Sequence, residues 1–258
     1  MESLGKVIDS LNIPKQLLDK SEALLKALFG PSLDETSGLI ADQVRLRRFK
    51  NQVKIFSSAQ VYLSKHNLDP KRISLRTLAP LIEYSSLEED EYLQDKWARL
   101  IANIVTTDSR VLLEQNAIEI LKTITAAEAQ LLESIFKALE KKRQSYDEKY
   151  SGERKRDETK LTTFSLRIID IQTSTGHAEE SLNAFISSLL ALGTIKWDVP
   201  DVEVDVSPSR SHMHTRDYDG SEFDVDVNVS EPRSILMTEL GVKFVRLCTM
   251  ETNPVQSR

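Results

Sequence analysis

The 258-residue chain has a single cysteine, Cys248, so an intrachain disulfide and a thiolate metal cluster are both excluded. Its eight glycines include no G-x-x-x-x-G-K and no G-x-G-x-x-G, which removes the backbone cradles that hold nucleotide phosphates. G-x-S-x-G is missing too, and with it the usual strand-to-helix serine nucleophile. No apolar run approaches the roughly 20 residues that span a bilayer. The best stretches, 24–29 and 185–195, are short and interrupted. The opening MESLGKVIDS lacks the basic-then-apolar layout of a secretion signal, so the cytoplasm is the expected compartment.

What the chain does have is ordinary globular material, 40% apolar and 29% charged, enough for a core and too apolar for disorder. The net charge of −6 is unevenly spread. Between Lys196 and Glu231, ten acidic residues face Lys196, Arg210 and Arg216, a local net of −7, which leaves about +1 for the remainder. The acidity therefore belongs to one segment.

Helical periodicity dominates the first 145 residues. Two short amphipathic helices are read in 1–29, with Leu4, Val7, Ile8 and Leu11 before Pro14 and Leu17, Leu18, Leu24, Leu25 and Leu28 after it. A long helix over about 34–66 places Leu46, Phe49, Val53, Phe56 and Leu63 on one face and Arg47, Lys50 and Lys54 opposite. A helix over 75–84 contains Pro80, which argues for a break or kink. The strongest helix, 88–106, opens with Glu88, Glu89, Asp90 and Glu91 at its positive dipole end. Leu93, Trp97, Leu100, Ile101 and Ile104 then form its apolar face. Residues 110–124 make another, and Thr125 can cap a further one with the stripe Leu132, Ile135, Phe136 and Leu139.

From 140 to 160 the chain is dense in mixed charge and loses its period, which reads as a solvated helix end running into a linker and places a domain boundary there. Beyond it, a helix over 178–192 ends at Gly193, a C′ residue. Val202, Val204 and Val206 alternate with Glu203 and Asp205. Phe223, Val225, Val227 and Val229 alternate with Asp224, Asp226 and Asn228. That is an acidic β-hairpin around a Pro/Ser/Gly-bearing loop, followed by a strand at 234–237 and a helix over 238–250. The order is winged-helix-like.

Two blocks carry a likeness to a known family. One joins Pro80-Leu81-Ile82-Glu83 and the acidic turn 88–91 to Leu93-Gln94-Asp95-Lys96-Trp97-Ala98-Arg99-Leu100-Ile101-Ala102-Asn103. The other is Leu236-Met237-Thr238-Glu239-Leu240-Gly241-Val242-Lys243-Phe244, with Cys248 one turn on. In these the chain resembles the Abi-alpha (abortive infection alpha) family of bacterial phage-exclusion proteins. The resemblance implies a setting in phage defence; it brings no catalytic residues to carry over.

Other chemistry is thin. Pro200-Asp201 followed by Glu203 and Asp205 lacks the lysine of a metal nuclease. His212 and His214 have no fixed third ligand, and Asp217, Asp219, Gly220, Glu222 and Asp224 make only half a calcium loop. Trp97 and Cys248 read as core residues. The helix 178–192 has Glu179 and Glu180 but neither Lys nor Arg, and beside an acidic wing this disfavours a phosphate backbone.

The expectation is therefore a mainly α protein: a helical domain over 1–145, a charged linker over 146–160, and a small α+β winged-helix-like module over 161–258 whose acidic hairpin spans 198–231. It is expected to be a non-enzymatic defence protein without a cofactor, acting through a protein partner or a homo-oligomer. Asp205, Asp224 and Asp226 are the candidate interaction surface, with Arg47, Lys50 and Lys54 as a candidate basic mate. A nucleic-acid-binding regulator and a membrane-perturbing effector using 15–29 are the alternatives.

Overall fold

A computed structural model describes residue 20 and residues 43–106, 111–149, 160–199, 202–208, 223–229 and 234–249. Apart from residue 20, the two helices expected in 1–29 lie outside the described residues, as do the histidine pair and the partial calcium loop, although Asp224 itself falls in a described strand. The fold is mainly helical with a small three-stranded antiparallel sheet near the C-terminus, in the expected class. It divides into two compact units, 1–136 with 239–258, and 137–238.

The first unit begins with α1 (Gln43–Lys65), α2 (Leu75–Ser85) and α3 (Glu91–Thr106). α4 (Val111–Thr123) follows, and then α5 (Ala126–Lys149), whose first part belongs here. Caps fix the starts. Ser74 Oγ accepts from the Thr77 N–H at 3.3 Å, and Asp90 Oδ1 from the Leu93 N–H at 3.0 Å. Asp90 is thus the cap of α3, which starts three residues later than its acidic run suggests. At α5, the Glu128 N–H donates to Thr125 Oγ1 at 3.3 Å while the Thr125 N–H donates to Glu128 Oε2 at 2.8 Å, a reciprocal capping box.

Pro80 neither breaks nor ends α2, which runs unbroken to Ser85. Tertiary burial of Leu78 and Leu81 outweighs the one backbone donor that proline lacks. The predicted stripes form the core: Val53, Phe56 and Leu63 of α1, all five apolar residues of α3, and Leu132, Ile135 and Phe136 of α5 are buried.

The last helix, α8 (Glu239–Thr249), packs on α3 and α4 and counts with the first unit, not with the C-terminal module in which the sequence reading grouped it. The reason is its apolar face. Val242, Phe244, Val245 and Cys248 are all buried, and the helix supplies polar acceptors to α3 as well.

The second unit contains the later part of α5, a 3-10 turn (Leu161–Thr163), β1 (Ser165–Arg167), α6 (Ile168–Thr175), α7 (Glu179–Ala191), β2 (Ile195–Trp197), β3 (Val202–Pro208), β4 (Phe223–Val229) and β5 (Ser234–Met237). β5 is central in the antiparallel order β1–β5–β2, with Leu166 opposite Ile235 and Ile195 opposite Met237. Ile235 and Met237 are fully buried, and α7 contributes Leu182, Ile186 and Leu189. Gly193, at φ +67°, turns the chain out of α7 as expected. Thr194 Oγ1 then donates to Leu189 O at 2.9 Å, and Thr238 Oγ1 to Gly193 O at 2.6 Å.

Candidate functional site

Three of the six candidate residues lie on α1, and their side chains point away from its buried stripe. Arg47, Lys50 and Lys54 are exposed, as the period requires. Arg47 and Lys54 have partners inside the unit: Arg47 Nη1 lies 3.2 Å from Glu89 Oε1, and Lys54 Nζ donates to Glu91 Oε1 at 2.8 Å. The lysine's hydrogen bond and charge hold the Glu91 carboxyl below the ordinary carboxylate range. The acidic turn before α3 therefore neutralises much of the basic face of α1. Exposed pairs of this kind add little stability, so their main effect is on the local field.

The other three lie on the hairpin. β3 and β4 pair antiparallel, with Asp205 directly opposite Asp226, Asp224 opposite Ser207 and Glu203 opposite Asn228. Alternation gathers the acidic positions on one face. It gathers Val202, Val204, Val206, Val225, Val227 and Val229 on the other. Asp226 is exposed, and so are Val204, Val225 and Val227, each more than half accessible. Both faces of the hairpin thus carry solvent-exposed residues, where alternation by itself predicts one face in water and one covered. Trp197 and Val199, in the stretch leading to β3, are exposed as well.

A polar centre in the first unit was missed by motif reading. Lys96, on the buried face of α3, pairs with Glu133 of α5 at 2.5 Å, with both side chains largely shielded from water. Its Nζ also lies 4.5 Å from the centre of the Tyr92 ring, a cation–π contact. Burial, then the nearby Glu133 carboxylate, push the Tyr92 phenol well above its ordinary value. Burial likewise raises the Cys248 thiol, which leaves it protonated and unreactive.

Beside this centre, Tyr62 donates to Asp95 Oδ1, and Arg99 Nε donates to Asp95 Oδ2 at 2.8 Å while its guanidinium stacks 4.5 Å from the Tyr62 ring. Burial and the bond to Asp95 carry the Tyr62 phenol up to about 12. Arg99 Nη1 then reaches Thr249 O at 3.2 Å, and Asn103 Nδ2 donates to Leu247 O at 2.8 Å. Two α3 side chains thus satisfy carbonyls in the last turn of α8, which a helix end leaves without intrahelical partners.

The first of the two sequence blocks that resemble a family therefore holds the end of the helix that the second block opens, since Arg99 and Asn103 bond carbonyls in its last turn. The signal was present in the sequence. Lys96 stands one turn from both Leu93 and Leu100, inside an apolar stripe where a lysine seldom sits without a partner.

These observations define a helical protein whose polar centre serves packing, with an amphipathic acidic hairpin that exposes three valines. Among the described residues no group of three or more His, Cys, Asp or Glu could hold a metal ion, and no helix is long and apolar enough to cross a membrane. The model of the abortive infection alpha family matches residues 41–248, most of the chain, and the protein belongs to that family. No match was found among curated proteins or among solved structures.

Proposed function

We propose that this member of the abortive infection alpha family serves in bacterial phage defence by docking another protein, without catalysis of its own. Family membership supports the setting. The observation that carries the docking mode is the hairpin, where exposed Val204, Val225 and Val227 share two short strands with Asp205, Asp224 and Asp226. An exposed row of valines on one face of a strand pair, with an acidic row on the other, offers apolar surface and charge that a docked segment can use together.

The order β1, α6, α7, β2, hairpin, β5 supports a winged-helix-like reading of the second unit, with α7 in the recognition position and β3–β4 as the wing. On α7, Glu179, Glu180, Ser181, Asn183, Ala184 and Ser187 are exposed, and no lysine or arginine occurs in the helix. Nucleic-acid affinity rests on cationic contacts to phosphate, so this surface fits a protein better. The basic face of α1 on a second copy is a weaker mate than its sequence implies, because Glu89 and Glu91 offset Arg47 and Lys54.

Phage plating on bacteria that express the protein tests the reading. The wild type is expected to lower plating efficiency for at least one phage in a broad panel. A variant with a two-residue Asn-Gly turn in place of 202–229 is expected to lose protection while keeping wild-type helix content. Absence of protection by the wild type would remove the defence role; full protection by the variant would remove the hairpin from it.

A further inference from the structure

We infer that β4 is a strand-addition site for an extended protein segment in which basic and apolar residues alternate. The inference rests on the docking role proposed for the hairpin and names the chemistry of its partner. Among the described residues β3 and β4 form a sheet of two strands and pair with no third, so each presents an outer edge of backbone donors and acceptors. The edges are not equivalent. β3 ends in Pro208, which has no N–H to offer, whereas β4, Phe223–Val229, contains no proline, so every second residue can turn an N–H and a C=O to its outer edge.

A segment that pairs along β4 sets its side chains alternately beside the two faces of the hairpin. On one face its neighbours are Asp224, Asp226 and Asn228; on the other they are Val225, Val227 and Val229. Lysine or arginine in the first set of positions relieves the repulsion between Asp226 and Asp205, which stand directly opposite each other. Valine, isoleucine or leucine in the second set covers Val225 and Val227, both exposed.

The same pattern disfavours a second copy of β4 at this edge. With like faces matched, aspartates line up beside aspartates; with faces crossed, aspartates line up beside valines. Edge charge of this sort guards a strand against its own kind and leaves it open to a segment of opposite sign.

The test uses the full chain and a fluorescent seven-residue peptide of alternating lysine and valine. One control peptide has the same composition with lysines and valines in two blocks, and another is the alternating peptide N-methylated at every second backbone nitrogen. The alternating peptide is expected to bind at least tenfold more tightly than either control and to slow hydrogen exchange at residues 223–229. Asp224→Asn with Asp226→Asn is expected to weaken binding about tenfold, the sum of two cross-strand charge pairs. Asp224→Lys with Asp226→Lys is expected to shift preference to an alternating glutamate–valine peptide. That reversal separates recognition from misfolding.

Equal binding of the alternating and blocked peptides would reduce the effect to bulk charge and overturn the inference. So would binding without protection at 223–229, or no binding. The plating assay separates this failure from that of the docking role: loss of protection on hairpin replacement, with no peptide binding, leaves docking standing and removes strand addition. Peptide binding with protection unaffected by hairpin replacement leaves the edge site and removes its part in defence.

Discussion

Replacing Trp97 with alanine should cost about 3–5 kcal/mol, the range for truncating a buried aromatic. The residue is 1% exposed at the centre of the α3 face. Removing roughly 200 Å² of side-chain surface from water, at about 25 cal/mol per Å², is worth about 5 kcal/mol. Two terms offset it. The indole Nε1–H is buried without a hydrogen-bond acceptor. Deleting that orphan returns about 1 kcal/mol, the low end of the cost of an unmade bond. Alanine's helix propensity returns roughly half a kcal/mol more. Trp97→Phe discards the same orphan while keeping most of the volume, so its cost should stay below about 1.5 kcal/mol. Urea titration followed by far-UV circular dichroism measures both, because helix content does not depend on the removed fluorophore. Acrylamide quenching gives a second reading: Trp197 is 41% exposed, so the Trp97→Ala protein should show only a readily quenched tryptophan. A cost below about 1 kcal/mol for the alanine variant would place Trp97 outside the core and refute the reasoning.

Breaking the Lys96–Glu133 pair from one side, with Lys96→Met or Glu133→Leu, should cost about 3–5 kcal/mol, because each leaves a shielded charge alone; the double variant should recover most of it, and a double-mutant cycle in urea shows whether it does. Asn103→Ala should cost about 1–2 kcal/mol and speed amide exchange in α8 more than in α1, as the Leu247 carbonyl loses its donor; exchange that rises equally in both helices would contradict this. Alkaline conditions should also lower stability. Cys248, Tyr62 and Tyr92 all have folded pKa values above their ordinary ones, so their contribution is complete below the unfolded values and is lost as pH climbs through the folded ones. The urea midpoint should therefore start to fall above about pH 8.5, where the unfolded thiol begins to ionise, and keep falling toward the folded Tyr62 value of about 12; a flat profile would be inconsistent with their burial.

Period carried the helices because each long one lays a continuous apolar stripe on the core. The faces of α1, α3 and α5 and the turn at Gly193 were legible at once, as was β5 at 234–237. β1 and α6 were not, since a three-residue strand has too few positions to show alternation, and Ile168, Ile169 and Ile171 are β-branched residues that favour strand although they lie in a helix. α8 shows a different limit. Its amphipathicity is plain, but nothing local says which apolar surface it covers, and that is settled by Arg99 and Asn103 far away in sequence. On the hairpin the acid row was legible, whereas the exposure of the valines follows from what fails to pack on them. Two-sided accessibility is a tertiary property that alternation alone does not specify.

The grouping of α8 with α1 to α5 bears on how the chain is made. A ribosome releases α1 to α4 and the first part of α5 well before α8, with the whole of 137–238 emerging in between. During that interval the face of α3 and α4 that α8 will cover has no lid, and the amide of Asn103 and the guanidinium of Arg99 lack the carbonyls they will later bind. The helical unit is thus sealed by the final stretch of an interrupted core, after the sheet-bearing unit has been synthesised. Until α8 arrives, that uncovered apolar face is the kind of surface that promotes aggregation, and premature termination anywhere in the second unit leaves the first without its closing helix.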